Sequence, residues 1–316
     1  MTISHPQVLA FYYPWYSHNS QNLRHWEGVN IKQQTIQSSH EYPLLGAYNS
    51  LSQSVIDQHF QWAQEAGIHG FIVSWWGINS FEDKVFPKLI ISAKKYQMSL
   101  SLYYEKISEP VSEKNVIKDI CYVYHNYIRN NPIWLNINGH PSLFIYQRPL
   151  KQLHSQEHHL WKNLLKKINH HLGCQLHISI DGLKSQYLSS FDSIHTYNIL
   201  SKPIQKKVST KKETLSVIRN QYQYWKHQCQ RVQKPVIMTI MPGYNDTSVR
   251  TPGDKLHYQN LYEDLWKMSQ SFQPDIILIT SWNEWHENTQ IEPSLQRQDH
   301  LLKITKKFNI LSSKVM

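Results

Sequence analysis

The chain has 316 residues, 40% of them apolar and 18% charged, which is enough to bury a substantial core and too apolar for a disordered protein. Its formal charge of +10 raises the question of a polyanionic partner, but no nucleic-acid motif accompanies the charge, and no nucleic-acid partner is expected. Much of the excess falls in residues 202–234 and 303–314, where basic and apolar residues alternate as on an outer helix face, so peripheral contact with an anionic glycan or membrane stays open. Cys121, Cys174 and Cys229 are widely spaced and form no CxxC pair, which argues against a disulfide framework and a zinc site and suggests a reducing compartment. Residues 1–7 show no basic leader and no apolar run reaches bilayer length, so a cytoplasmic chain without a transmembrane segment is expected.

In chain order, the apolar runs predict strands at 8–15, 70–76, 100–105, 142–146, 176–181, 193–197, 236–241 and 276–282. Helical spacing predicts helices at 52–66, 82–96, 112–130, 157–171, 212–232, 258–272 and 299–308, with only a weak turn at 185–190 between strands five and six. Eight strands alternating with helices predict an α/β fold, a single (β/α)8 TIM barrel spanning 1–316. The longest irregular stretch, 16–50, follows the first strand, where a long βα loop belongs to an active-site cleft.

On such a barrel the chemistry sits at the C-terminal ends of the strands. There the sequence places Tyr12, Tyr13, Pro14, Trp15 and Tyr16; Trp75 and Trp76; Tyr104 and Glu105; Tyr146 and Gln147; Asp181; Tyr197; Tyr244; and the run Asn283, Glu284, Trp285, His286, Glu287. Rings and carboxylates recurring at one rim suit an extended carbohydrate, and the aromatic content of 12% fits. Glycoside hydrolysis needs a proton donor for the leaving oxygen and a second group at the anomeric carbon, both usually carboxylates. Glu284 and Glu287, three apart, are the best pair. His286–Glu287 is not the start of an HExxH zinc site, because position 290 is Gln290, and no Gly-rich phosphate loop or GxSxG elbow is present. No metal and no cofactor are implied.

Six motifs carry a resemblance: FYYPWY at 11–16, HWEG at 25–28, PLLGAY at 43–48, VSWWG at 73–77, PGYNDT at 242–247 and SWNEWHENTQIEP at 281–293. With them the chain resembles glycoside hydrolase family 99, the endo-α-mannosidases and endo-α-1,2-mannanases. The resemblance implies retaining, endo-acting cleavage of α-mannosidic bonds in an oligosaccharide or polysaccharide through a 1,2-anhydro sugar. Glu284 would take the proton of the substrate's 2-hydroxyl, and Glu287 would serve as acid and then base. Glu105, Tyr13, Trp75, Trp76, Tyr197, Tyr244, Arg250, Asn283 and His286 would line the substrate cleft. The chain departs from the family pattern at Lys106, where proline is usual, at Asn288, where glycine is usual, and after Arg250, where a tryptophan is missing. The alternatives are a glycosyltransferase-like barrel of surface-polysaccharide biosynthesis, which shares a similar NEW-x-E ending, or a carbohydrate-binding barrel without catalysis. The oligomeric state is not legible in the sequence.

Overall fold

A computed structural model describes residues 6–19, 22–153 and 158–314. Eight parallel strands form the central sheet: β1 Gln7–Tyr12, β2 Gly70–Trp75, β3 Ser99–Tyr104, β4 His140–Ile145, β5 His177–Asp181, β6 Ser193–His195, β7 Ile237–Ile240 and β8 Ile276–Ile279. They pair in the order β7-β8-β1-β2-β3-β4-β5-β6. The first and last strands of that order meet without a backbone ladder. Instead Thr239 Oγ1 of β7 donates to the carbonyl of Thr196 just past β6, and Thr280 Oγ1, just past β8, donates to that of Tyr197 at 2.7 Å. The result is a nearly closed (β/α)8 barrel, as the alternation predicts.

The helices are α1 Gln53–Glu65, α2 Phe81–Tyr96, α3 Glu113–Val123, α4 Gln147–Gln152, α5 His158–Leu172, α6 Ser201–Gln205, α7 Lys211–Arg231, α8 Leu261–Ser271 and α9 His300–Lys314. Their ends carry local signals. Ser80 caps α2 by accepting from the Asp83 N–H, and Thr210 with Glu213 forms a reciprocal capping box on α7. The helix expected to run to 130 ends in a π-helical turn at Tyr124–Ile128, and the short helices α4 and α6 had no periodic signal. The predicted helix start at Glu157 and the segment 1–5 lie outside the described residues. No helix among the described residues is long and apolar enough to cross a membrane.

Side chains alternate across each strand, and the alternation separates two cores. Val8, Ala10 and Tyr12 of β1 pack against the helices, while Leu9, Phe11 and Tyr13 enter the barrel. The interior is filled by Phe11, Ile72, Tyr103, Phe144 and Leu278, with His195 among them. His195 Nδ1 meets Ser179 Oγ at 2.9 Å, and burial pushes its pKa down to about 3, so the ring is neutral. Gly70 is required where β2 meets β3, since a Cβ there would lie 2.5 Å from the Ser99 carbonyl oxygen. Strands β1 and β8 end three residues before their predicted ends, at Tyr12 and Ile279, because the next backbone groups bond into loops. The Tyr13 N–H goes to Asn283 Oδ1 at 2.7 Å and the Ser281 N–H to the Thr289 carbonyl at 2.8 Å.

Candidate active site

The segment after β8 turns sharply enough that Glu284 and Glu287 face the same opening. The Glu284 N–H donates to Ser281 Oγ at 2.8 Å, and the His286 N–H donates to Glu284 Oε1 at 3.1 Å. Asn288, the residue standing where glycine is usual, has φ of +52°, a left-handed conformation that asparagine tolerates. Its Oδ1 accepts from Gln290 Nε2 and Arg297 Nη2, each at 3.2 Å, which holds the loop without glycine.

Glu287 is the more open of the two, its side chain 17% exposed against 5% for Glu284. Three groups converge on it: Tyr197 OH donates to Oε2 at 3.2 Å, Tyr244 OH lies 3.4 Å from Oε1 with its closer contact to Asp246 Oδ2 at 2.8 Å, and Arg250 Nη2 lies 3.5 Å from Oε1. Arg250 is itself held by Asp246, 2.6 Å from Nη1, on a ribbon formed by Tyr244–Asn245 and Lys255–Leu256. Burial raises the pKa of both glutamates. At Glu284 the charges of Glu287 and Glu105 add to burial, against the His286 N–H and Arg250; at Glu287 Arg250 and the two tyrosines partly offset the rise. Two buried carboxyls this close titrate as one coupled pair.

Glu105 follows β3 and is buried beside the pair. Ser74 Oγ donates to its Oε1 at 2.9 Å, and Trp76 Nε1 donates to the same serine at 3.0 Å. Burial lifts the Glu105 pKa to about 8, so it is protonated at neutral pH and can donate as well as accept. Asp181, at the end of β5, is lifted to about 7 by burial while accepting from the Tyr197 N–H at 2.9 Å.

Aromatic rings form the walls. Tyr13 and Tyr197 meet edge-on at 6.3 Å, and the charges of Glu105, Glu284 and Glu287 all reach the Tyr13 phenol, whose pKa is raised chiefly by burial. Trp15 stacks on His25 at 4.5 Å and lies 6.3 Å from the His286 ring. His286 Nε2 donates to the His25 carbonyl at 3.0 Å, which leaves Nδ1 unprotonated and 3.7 Å from Glu284 Oε1. Trp76 carries the Arg148 guanidinium 4.7 Å over its ring.

The structure thus brings Tyr13, Trp76, Glu105, Tyr197, Tyr244, Arg250, Glu284, His286 and Glu287 to one rim. Two residues expected to line the cleft do not reach it. Trp75 is fully buried in the layer between barrel and helices, with its indole N–H donating to Asp83 Oδ1 at 2.8 Å. Adjacent residues on a strand point to opposite faces, so Trp76 reaches the cleft and Trp75 cannot. The Asn283 amide is likewise consumed: Oδ1 and Nδ2 bond the Tyr13 N–H and carbonyl at 2.7 and 2.9 Å, and Nδ2 also reaches Tyr48 OH at 3.1 Å. It clamps the end of β1 to the segment after β8.

One group escaped the sequence reading. Glu292, inside the SWNEWHENTQIEP motif, is buried beneath the site and accepts from Tyr48 OH at 2.8 Å and Trp285 Nε1 at 3.0 Å; its Oε1 lies 2.9 Å from His59 Nε2. Its type was visible, but its partners lie 7, 233 and 244 residues away.

The family model described as glycosyl hydrolase family 99 matches residues 4–306. The glycoprotein endo-alpha-1,2-mannosidase of Mus musculus is 28% identical over 337 residues, covering 92% of this chain and 68% of that protein. Its Rattus norvegicus counterpart is 26% identical over 336 residues, with the same coverages. Among solved structures, the GH99 endo-alpha-mannosidase from Bacteroides thetaiotaomicron superposes with a TM-score of 0.79 at 23% identity, covering 98% of each chain.

Proposed function

The chain belongs to glycosyl hydrolase family 99 and is a glycosidase, and from that premise we propose that it cleaves internal α-mannosidic bonds with retention of configuration, assisted by the substrate's own 2-hydroxyl. The observation that carries the reading is the convergence of Glu284 and Glu287 at one rim, with Arg250, Tyr197 and Tyr244 around Glu287. The similar mannosidases of mouse and rat support α-mannose as the sugar.

In the proposed reaction Glu284 accepts the 2-hydroxyl proton as O2 attacks C1. The bond from C1 to the departing oxygen breaks, and Glu287 protonates that oxygen, leaving a 1,2-anhydro sugar. Glu287 then takes a proton from water. The hydroxide adds to C1, the C1–O2 bond opens, and O2 recovers its proton from Glu284. For this step the pair must hold one proton, and it must sit on Glu287 when substrate is bound. A 2-hydroxyl donating to Glu284 stabilises its ionised form, and strong coupling lets the proton move without a change in total charge. The raised basicity of Glu284 suits it to a weakly acidic hydroxyl. Trp76 and Tyr13 offer ring faces to the sugars, and neutral Glu105 a hydrogen bond to a hydroxyl.

The test is incubation with α-mannan and α-mannosyl oligosaccharides, alongside Glu284→Gln and Glu287→Gln, with products read by mass and anomeric configuration. Oligosaccharides of α configuration are expected from the unaltered protein alone. An aryl mannoside with a good leaving group should restore the first step, read as rapid release of the aryl alcohol, to Glu287→Gln but not to Glu284→Gln, because in that step only the former lacks the leaving-group acid. No cleavage, or a β-configured product, overturns the reading.

A further inference from the structure

Away from the cleft, on the outer wall of the barrel, a groove follows the seam between α7 and α8. One stretch of about 650 Å³ lies between Lys212 and Arg219 of α7 and Lys267 and Met268 of α8. A second, of about 620 Å³, begins at Asn220, passes the end of α8 at Phe272 and continues along α7 to Lys226 and Gln230. The stretches abut at the neighbouring pairs Arg219/Asn220 and Ser271/Phe272, so together they track most of a 21-residue helix, about 31 Å long by its rise.

The charges along this groove are ordered. Lys212, Arg219 and Lys226 recur every seven residues, close to two turns, which sets them along one helix face in steps of about 10.5 Å. None of the three is in an ion pair among the described residues, although neighbours are: Lys211 lies 2.7 Å from Asp264 and Lys267 lies 3.5 Å from Glu263. The single carboxylate of α7, Glu213, is turned back onto the Thr210 cap. Between Arg219 and Lys226 the groove presents the amides of Asn220 and Gln223 and the half-exposed ring of Tyr224, and between Lys212 and Arg219 it presents Leu215, Ser216, Met268 and Asp264, whose carboxylate Lys211 holds.

We propose that this groove binds a linear acidic polysaccharide carrying one carboxylate per disaccharide. The repeat of the cations is comparable to the length of an extended disaccharide, and the amides and aromatic ring between Arg219 and Lys226 suit sugar hydroxyls and ring faces. A bilayer surface is too flat to enter a groove between two helices. Nucleic-acid phosphates are too closely spaced for most of them to meet a cation here. The glycan class of the ligand rests on the glycosidase reading. Binding here and hydrolysis in the cleft are measured separately, so either can fail alone.

The experiment is affinity electrophoresis of the full chain in gels containing hyaluronate, at about 0.15 M salt, with dextran as the neutral control. Retardation by hyaluronate and not by dextran is expected. The combined Lys212→Glu, Arg219→Glu, Lys226→Glu variant should bind at least about tenfold more weakly, with hydrolysis of a neutral mannoside unchanged. A variant of equal net charge, Lys84→Glu, Lys94→Glu, Lys306→Glu, alters exposed lysines elsewhere and should bind as the unaltered protein does. Absence of retardation overturns the proposal. So does equal loss in both variants, which would show unspecific charge attraction, or tighter binding to phosphatidylglycerol vesicles or duplex DNA than to hyaluronate.

Discussion

Tyr197 donates its hydroxyl to Glu287 Oε2 at 3.2 Å across 90 residues of chain, and its own backbone is held on both sides. Its N–H goes to Asp181 Oδ1 at 2.9 Å and its carbonyl accepts from Thr280 Oγ1 at 2.7 Å. A phenol anchored in this way meets the carboxylate without first losing side-chain freedom.

Tyr197→Phe removes a bond that favours ionised Glu287, so the pKa of that glutamate rises. If Glu287 belongs to the titrating pair, the one limb of the kcat/KM profile that reports it moves to higher pH while the other stays. Turnover should fall roughly 10- to 100-fold, the equivalent of a charge-assisted hydrogen bond of about 1.5–3 kcal/mol. A fall with neither limb moved would place Tyr197 outside the titrating unit.

Arg250→Met should behave differently. The guanidinium favours the charged form of both Glu287 and Glu284, so its loss raises both pKa values and carries both limbs to higher pH. The pH–rate profile distinguishes the two variants.

Glu105 and Asp181 set an unusual slope of stability with pH. Their folded pKa values, about 8 and about 7, lie above the ordinary carboxylate values of 4.5 and 3.8, so the folded chain holds protons that the unfolded chain has released. Their destabilising contribution is absent below about pH 4 and grows until pH passes each folded pKa. Thermal unfolding should therefore show Tm falling between about pH 5 and 8, and Glu105→Gln or Asp181→Asn should flatten that fall. An identical slope in the variants would show that the carboxyls are ionised in the fold.

Glu292→Ala leaves His59, Tyr48 and Trp285 without their shared acceptor in a site closed to water. A cost of about 3–5 kcal/mol is expected in urea unfolding, the range for breaking one side of a buried pair. A loss under about 1 kcal/mol would mean that the surroundings rearrange to supply other partners.

Trp76→Ala should raise KM for an oligosaccharide with little change in Tm, since its ring faces the cleft. Trp75→Ala should do the reverse, because it opens a cavity between barrel and helices, at a cost of about 3–5 kcal/mol. Measuring both constants on both variants separates the roles of two adjacent residues.

Their separation also marks the boundary between sequence and fold. The alternation of apolar runs with helical spacing was enough to predict all eight strands of the barrel, since each strand must be buried on both faces and reads as an apolar run. The same property hides orientation. Residues 70–76 read GFIVSWW, with no polar beat of period two to show which tryptophan enters the barrel, and only the register Trp75↔Tyr104 and Trp75's bond to Asp83 assign it outward. The spacing of Glu284 and Glu287, and their place after the last strand, were likewise legible along the chain. What Asn283, Glu292 and Asp181 do was not, because each is defined by partners brought near by barrel closure, and a side chain's hydrogen-bonding type says nothing of which distant group will satisfy it. The sequence by itself determined the barrel and the pair of carboxylates at its rim. The tertiary structure alone decided which residues touch the cleft and which hold it in shape, because that depends on strand register and on contacts spanning up to 270 residues.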